Sequence, residues 1–171
     1  MIAMSVLKPN SHCSRFPINL ILVAVLLAFS CSKNQKPDLS NKYAMLASYF
    51  EDVHNHQLDE SSWGIVVISA RGCITCNKKF ADFMAPQNEN SNLIYIITAS
   101  SSAIDISPFI NMNSKFVFFD ERNKIGKLSL LEGSGFIFLG DQQIDTVIEI
   151  KANQIESRFD FISNRLTKAV K

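Results

Sequence analysis

Residues 64–84 read GIVVISARGCITCNKKFADFM, and this stretch decides the fold. Ile65, Val66, Val67 and Ile68 form a short β-branched run of the kind that suits a strand buried on both faces. Ser69, Ala70 and Gly72 break it. From Cys73 the period changes, because Cys76, Phe80, Phe83 and Met84 recur at three- and four-residue spacings, as on one face of a helix. The pattern therefore predicts that Cys73 opens a helix just after a buried strand, with Cys76 one turn in. Unpaired N–H groups and the positive end of the helix dipole favour a thiolate at that place. Arg71, Lys78 and Lys79 add positive charge. A reactive dithiol needs one exposed, acidified sulfur and a second close enough to resolve a mixed disulfide.

The chain has 171 residues, 47% of them hydrophobic, with 13 phenylalanines, enough for one domain with a real core. Of its 17 Lys and Arg, only Lys8 and Arg15 precede Cys31, leaving 15 basic against 16 acidic side chains. That balance gives no sign of a nucleic-acid surface.

The first 30 residues read as a secretion signal. Lys8, His12 and Arg15 lie in a polar segment, and Ile18 to Phe29 is an apolar run interrupted by Asn19, too short for a comfortable membrane span. The run Leu27-Ala28-Phe29-Ser30-Cys31 resembles the lipobox of bacterial lipoproteins, with Phe29 departing from the usual small or aliphatic residue. The resemblance implies cleavage before Cys31, lipidation of that cysteine, and a cell-envelope protein held to a membrane with its domain on the periplasmic side. An ordinary signal peptide and an uncleaved anchor helix are the alternatives. Residues 31–38 are then a polar tether and 39–171 the domain. With Cys13 removed and Cys31 acylated, Cys73 and Cys76 are the remaining cysteines.

Along the domain, Leu39 to Gln57 has a helical period, and His54 and His56 read as solvated residues at its end. Trp63 reads as a packing residue at the start of the first strand. Strands are predicted at 93–97, 116–119, 135–139 and 144–150, the last two joined by a turn at 140–143. A short helix is predicted within 100–113, a loose one within 122–132, and a closing helix over 153–169 with Ile155, Phe159, Ile162 and Leu166 buried. This order indicates an α/β fold with a central mixed β-sheet flanked by helices.

The strand, the Cys73-Ile-Thr-Cys76 motif at a helix start, the hairpin and the final helix resemble a thioredoxin-like fold. The extra strand at 116–119 makes the chain more similar to the TlpA-like or peroxiredoxin-like branch. The resemblance covers roughly residues 62–170, and CxxC is its specific motif. It implies a thiol–disulfide oxidoreductase in which Cys73 attacks and Cys76 resolves. The partners it implies are protein or small-thiol disulfides and an envelope electron donor, with no cofactor. Gly72 and Ser134 are the implied substrate-binding positions. Three positions depart from the family: Gly72 replaces a frequent aromatic residue, Val67 stands where many thioredoxins bury an acid, and Ser134 occupies the place of the cis-proline. A non-proline cis bond costs about 3 kcal/mol, so the bond before Ser134 is expected to be trans and its loop reshaped, though still within reach of Cys73. Two other classes stay open: a module binding copper or zinc through Cys73 and Cys76, and a non-catalytic interaction protein with a resting disulfide.

Overall fold

The computed structural model describes residues 39–58, 62–98, 104–110 and 116–169. The signal segment, Cys31 and the tether lie outside the described residues. No described helix is long and apolar enough to cross a membrane.

Helix α1 spans Leu39–His54, β1 Gly64–Ile68, α2 Ile74–Met84 and β2 Leu93–Ile97. A single-turn helix α3 (Ser107–Ile110) precedes β3 (Val117–Phe119), and a 3-10 turn covers Ile125–Leu128. The hairpin β4 (Gly135–Gly140) and β5 (Gln143–Glu149) is followed by α4 (Ile155–Ala169). The sheet order is β3-β2-β1-β4-β5. β1, β2 and β3 run parallel, while β4 is antiparallel to both β1 and β5. The expected mixed sheet is thus present, with β1 at its centre.

Every residue of β1 and β2 is buried, which is why both read as continuous apolar runs. Their alternating side chains feed two cores. Ile65, Val67, Ile94, Ile96 and Ile137 pack with Leu46, Tyr49 and Phe50 of α1 on one face. Val66, Ile68, Tyr95, Phe136 and Phe138 pack on the other with Cys76, Phe80 and Met84 of α2 and with Ile162 and Leu166 of α4. Trp63 stacks near Phe136 and Phe138, the packing role expected of it.

α1 stops at His54, short of the predicted Gln57. Asn55 turns left-handed (φ 48°), and the N–H groups of Asn55 and His56 satisfy the Glu51 and Phe50 carbonyls. His54 and His56 are half-buried rather than fully solvated. His54 Nε2 lies 2.9 Å from Tyr49 Oη, and both imidazoles pack on Phe118, with ring centroids 4.8 and 4.9 Å away. The helix expected within 122–132 shrinks to the turn at Ile125–Leu128. There buried Asp120 accepts the Lys124 and Ile125 N–H groups at 2.9 and 2.8 Å, and Ser129 ends the turn at φ 51°. The hairpin turns on Asp141 and Gln142, both left-handed (φ 48° and 57°), as a two-residue connection of right-twisted strands requires. One extra residue in β5 shifts the register between Phe138 and Leu139, a β-bulge.

Candidate active site at the dithiol loop

β1 delivers the chain to the C-terminal edge of the parallel strands, where Ser69–Gly72 turns it into α2. Gly72 makes the turn with φ 77°, a conformation that costs other residues about 1 kcal/mol or more. Cys73 is the N-cap of α2, with extended backbone (φ −78°, ψ 101°) and its sulfur accepting the Cys76 N–H at 3.3 Å. Ser, Thr, Asp and Asn commonly fill such a position because an oxygen takes up an orphan N–H; here sulfur does so. Cys73 is exposed, whereas Cys76 is 1% exposed and part of the core around Phe80 and Met84. The two are joined as a disulfide, with Cα atoms 5.2 Å apart. The Cys76 N–H and the positive end of the helix dipole both face Cys73 Sγ, the kind of environment that favours a thiolate over a thiol.

Arg71, Lys78 and Lys79 are exposed around this cap, as is Ile74 at 54%. Neither ion pair of the described residues, Lys151–Glu149 or Arg165–Asp145, uses Arg71. Beside the loop runs a groove of about 630 Å³ bordered by Arg71, Gly72, Leu130, Glu132, Glu149 and Lys151. It has charges of both signs on its rim and leucine on its wall.

The loop before β4 comes up to this turn. A Cβ on Gly72 would stand 3.8 Å from Gly133 Cα, and one on Gly133 would stand 3.4 Å from the Arg71 carbonyl oxygen. No cis peptide bond occurs among the described residues, and the bond before Ser134 is trans. The Ser134 side chain is fully buried and turned inward: its hydroxyl accepts the Ser69 N–H at 2.8 Å and donates to the Ser69 carbonyl at 3.4 Å. Its backbone is also engaged, the N–H with Asn77 Oδ1 at 3.2 Å and the carbonyl with the Ile150 N–H at 3.0 Å. Gly72 therefore presents open backbone beside Cys73, whereas Ser134 works beneath the surface. Val67 faces the α1 core at 2% exposure and supplies no proton acceptor.

Asn77 was not legible as a site residue. It is 1% exposed, donates from Nδ2 to the Arg71 carbonyl at 2.6 Å, and accepts the Ser134 N–H. The sequence does carry a signal: a poor helix former directly after Cys76, on the side of α2 that faces inward. Among the described residues, no group of three or more His, Cys, Asp or Glu side chains is placed to hold a metal ion. No family model, curated protein or solved structure matches this chain.

Proposed function

We propose that this protein is a thiol–disulfide oxidoreductase of thioredoxin-like architecture, with Cys73 as nucleophile and Cys76 as resolving thiol. The observation that carries the reading is the asymmetry of the pair: an exposed sulfur capping a helix, one turn from a buried sulfur that can bond to it. In the reduced protein the Cys73 thiolate attacks one sulfur of a substrate disulfide, and the departing thiolate takes up a proton. Cys76 then loses its proton and attacks Cys73 Sγ, releasing the second substrate thiol and closing the Cys73–Cys76 disulfide. Two electrons pass from the dithiol to the substrate, and a dithiol donor in the envelope returns them. The substrates are protein or small-thiol disulfides, and reduction of the substrate is the direction favoured by resemblance to TlpA-like proteins. The exposed Ile74 and the open Gly72 backbone give a substrate chain something to lie against. Acylation of Cys31 would hold the domain at an envelope membrane, and mass spectrometry of the membrane fraction would find a lipidated Cys31 as the mature N-terminus.

Trapping tests the chemistry. Cys76→Ser removes the resolving thiol and should accumulate covalent adducts through Cys73. Cys73→Ser should form few adducts and lose exchange activity. Slow, equal alkylation of both cysteines at neutral pH, with no adducts in either variant, would overturn the reading in favour of a resting structural disulfide.

A further inference from the structure

Beneath the dithiol, three polar side chains from three separate segments meet in the interior. Ser69 follows β1, Asn77 lies in α2 and Ser134 precedes β4; their exposures are 3%, 1% and 0%. Their bonds close a ring. Arg71 N–H donates to Ser69 Oγ at 3.0 Å, and Asn77 Nδ2 donates to the Arg71 carbonyl at 2.6 Å. Ser134 N–H donates to Asn77 Oδ1 at 3.2 Å, and Ser69 N–H donates to Ser134 Oγ at 2.8 Å, which returns the path to its start.

Buried polar groups are costly unless every one is bonded, and a fully bonded network fixes geometry more narrowly than apolar packing does. The segment that this ring grips is the one in need of fixing. Arg71 and Gly72 belong to neither strand nor helix, and Gly72 is a left-handed glycine next to the nucleophile. In the oxidised protein the Cys73–Cys76 bond itself closes the turn. When that bond opens, the Asn77 side chain still ties the Arg71 carbonyl to α2 and, through the Ser134 N–H, to the loop that enters the sheet, beside the Ser69–Ser134 bond and the Asn77 N–H to Cys73 carbonyl bond.

We propose that Asn77 is the positioning residue of the dithiol, holding the Arg71–Cys73 turn so that Cys73 Sγ stays on the Cys76 N–H after reduction. The proposal rests on the oxidoreductase reading for its purpose, but its geometry can be measured without turnover. Asn77→Ala removes both side-chain hydrogen bonds and leaves Arg71 O and Ser134 N–H without this partner.

The test uses the full chain, reduced, with iodoacetamide titrated over about pH 5 to 10 and oxidised glutathione as the exchange substrate. In Asn77→Ala the apparent pKa of Cys73 should rise toward that of a free thiol, about 8.5, and alkylation at neutral pH should slow several-fold. Exchange should lose about tenfold or more in kcat/KM, carried by kcat. A purely structural Asn77 would lower the melting temperature and leave the pH profile of alkylation where it was, and that result overturns the proposal. Should Asn77→Ala fail to fold, Ser69→Ala cuts the same ring at Arg71 N–H. It should shift the profile in the same direction by less, and an unshifted profile overturns the proposal equally. A wild-type protein that exchanges with no disulfide would defeat the oxidoreductase reading, while the alkylation comparison would still decide the role of Asn77.

Discussion

Glu149, at the end of β5, also holds the loop before β4. Its Oε1 accepts the Glu132 and Gly133 N–H groups at 2.9 and 3.2 Å, and its Oε2 pairs with Lys151 Nζ at 2.9 Å. Partial burial alone would raise the Glu149 carboxyl, but the Lys151 ammonium and the two amides outweigh it and hold it below the usual carboxylate range. A carboxyl whose folded pKa is depressed stabilises the fold above its unfolded value, about 4.3, and loses that contribution as the pH falls through the folded value. Glu149→Gln should therefore unfold more easily than wild type at neutral pH, by about 0.5–1 kcal/mol once solvent screening is allowed for. The difference should fade once the pH has fallen through the folded value, where both side chains are neutral. Urea unfolding at neutral pH and at that acid pH measures it; an equal deficit at both would show that shape rather than charge holds the loop.

The hairpin is the element on which this loop depends, and its first residue has no room to spare. A Cβ on Gly135 would run into the Ile148 carbonyl oxygen and stand 2.8 Å from Leu131 Cδ2, whereas one on Gly140 would meet nothing within 4 Å. Gly135→Ala must push β4 off β5 and should cost about 3 kcal/mol, while Gly140→Ala should stay within about 0.5 kcal/mol. Thermal unfolding of the pair separates a steric cause from a general cost of losing glycine. The elements that were legible in the sequence share a physical cause. Ile65–Ile68 and Leu93–Ile97 are buried on both faces and so carry no polar interruption. The period of α2 survives because its inner face packs on one core. What was not legible depends on side-chain bonds and contacts that periodicity does not carry, some local and some to partners distant in the chain. Asp120 gathers the N–H groups that shorten the 122–132 segment to one 3-10 turn, and β3 supplies the Phe118 ring that draws in the two histidines. Asn77 and Ser134 belong to the same class, since polar residues read as surface until a separation of 57 positions is folded away.

Across the molecule, the sheet separates the dithiol face, covered by α2 and α4, from the face covered by α1. The second face is fastened by a polar bridge. Tyr49 of α1 donates its hydroxyl to buried Asp120 at 3.2 Å, beyond β3, and with that proton committed the Nε2–H tautomer of His54 donates to Tyr49 Oη at 2.9 Å. Burial, aided by the Asp120 carboxylate, holds the Tyr49 phenol far above its ordinary value, so the bridge keeps its proton across the working range. His54 is the member that titrates. Burial lowers its pKa below 6.5, Asp120 opposes this, and Lys124 and His56 reinforce it. A histidine depressed in the folded state binds fewer protons there than in the unfolded chain, so stability rises with pH between the folded value and about 6.5. Acidification through that window should lower the melting temperature of the wild type. His54→Gln, neutral throughout, should flatten that slope, although it forfeits some packing on Phe118 at every pH. Scanning calorimetry of both proteins from about pH 8 down to 5 reads the two slopes directly. An unchanged slope in His54→Gln would assign the acid sensitivity to other groups and leave the bridge as packing alone.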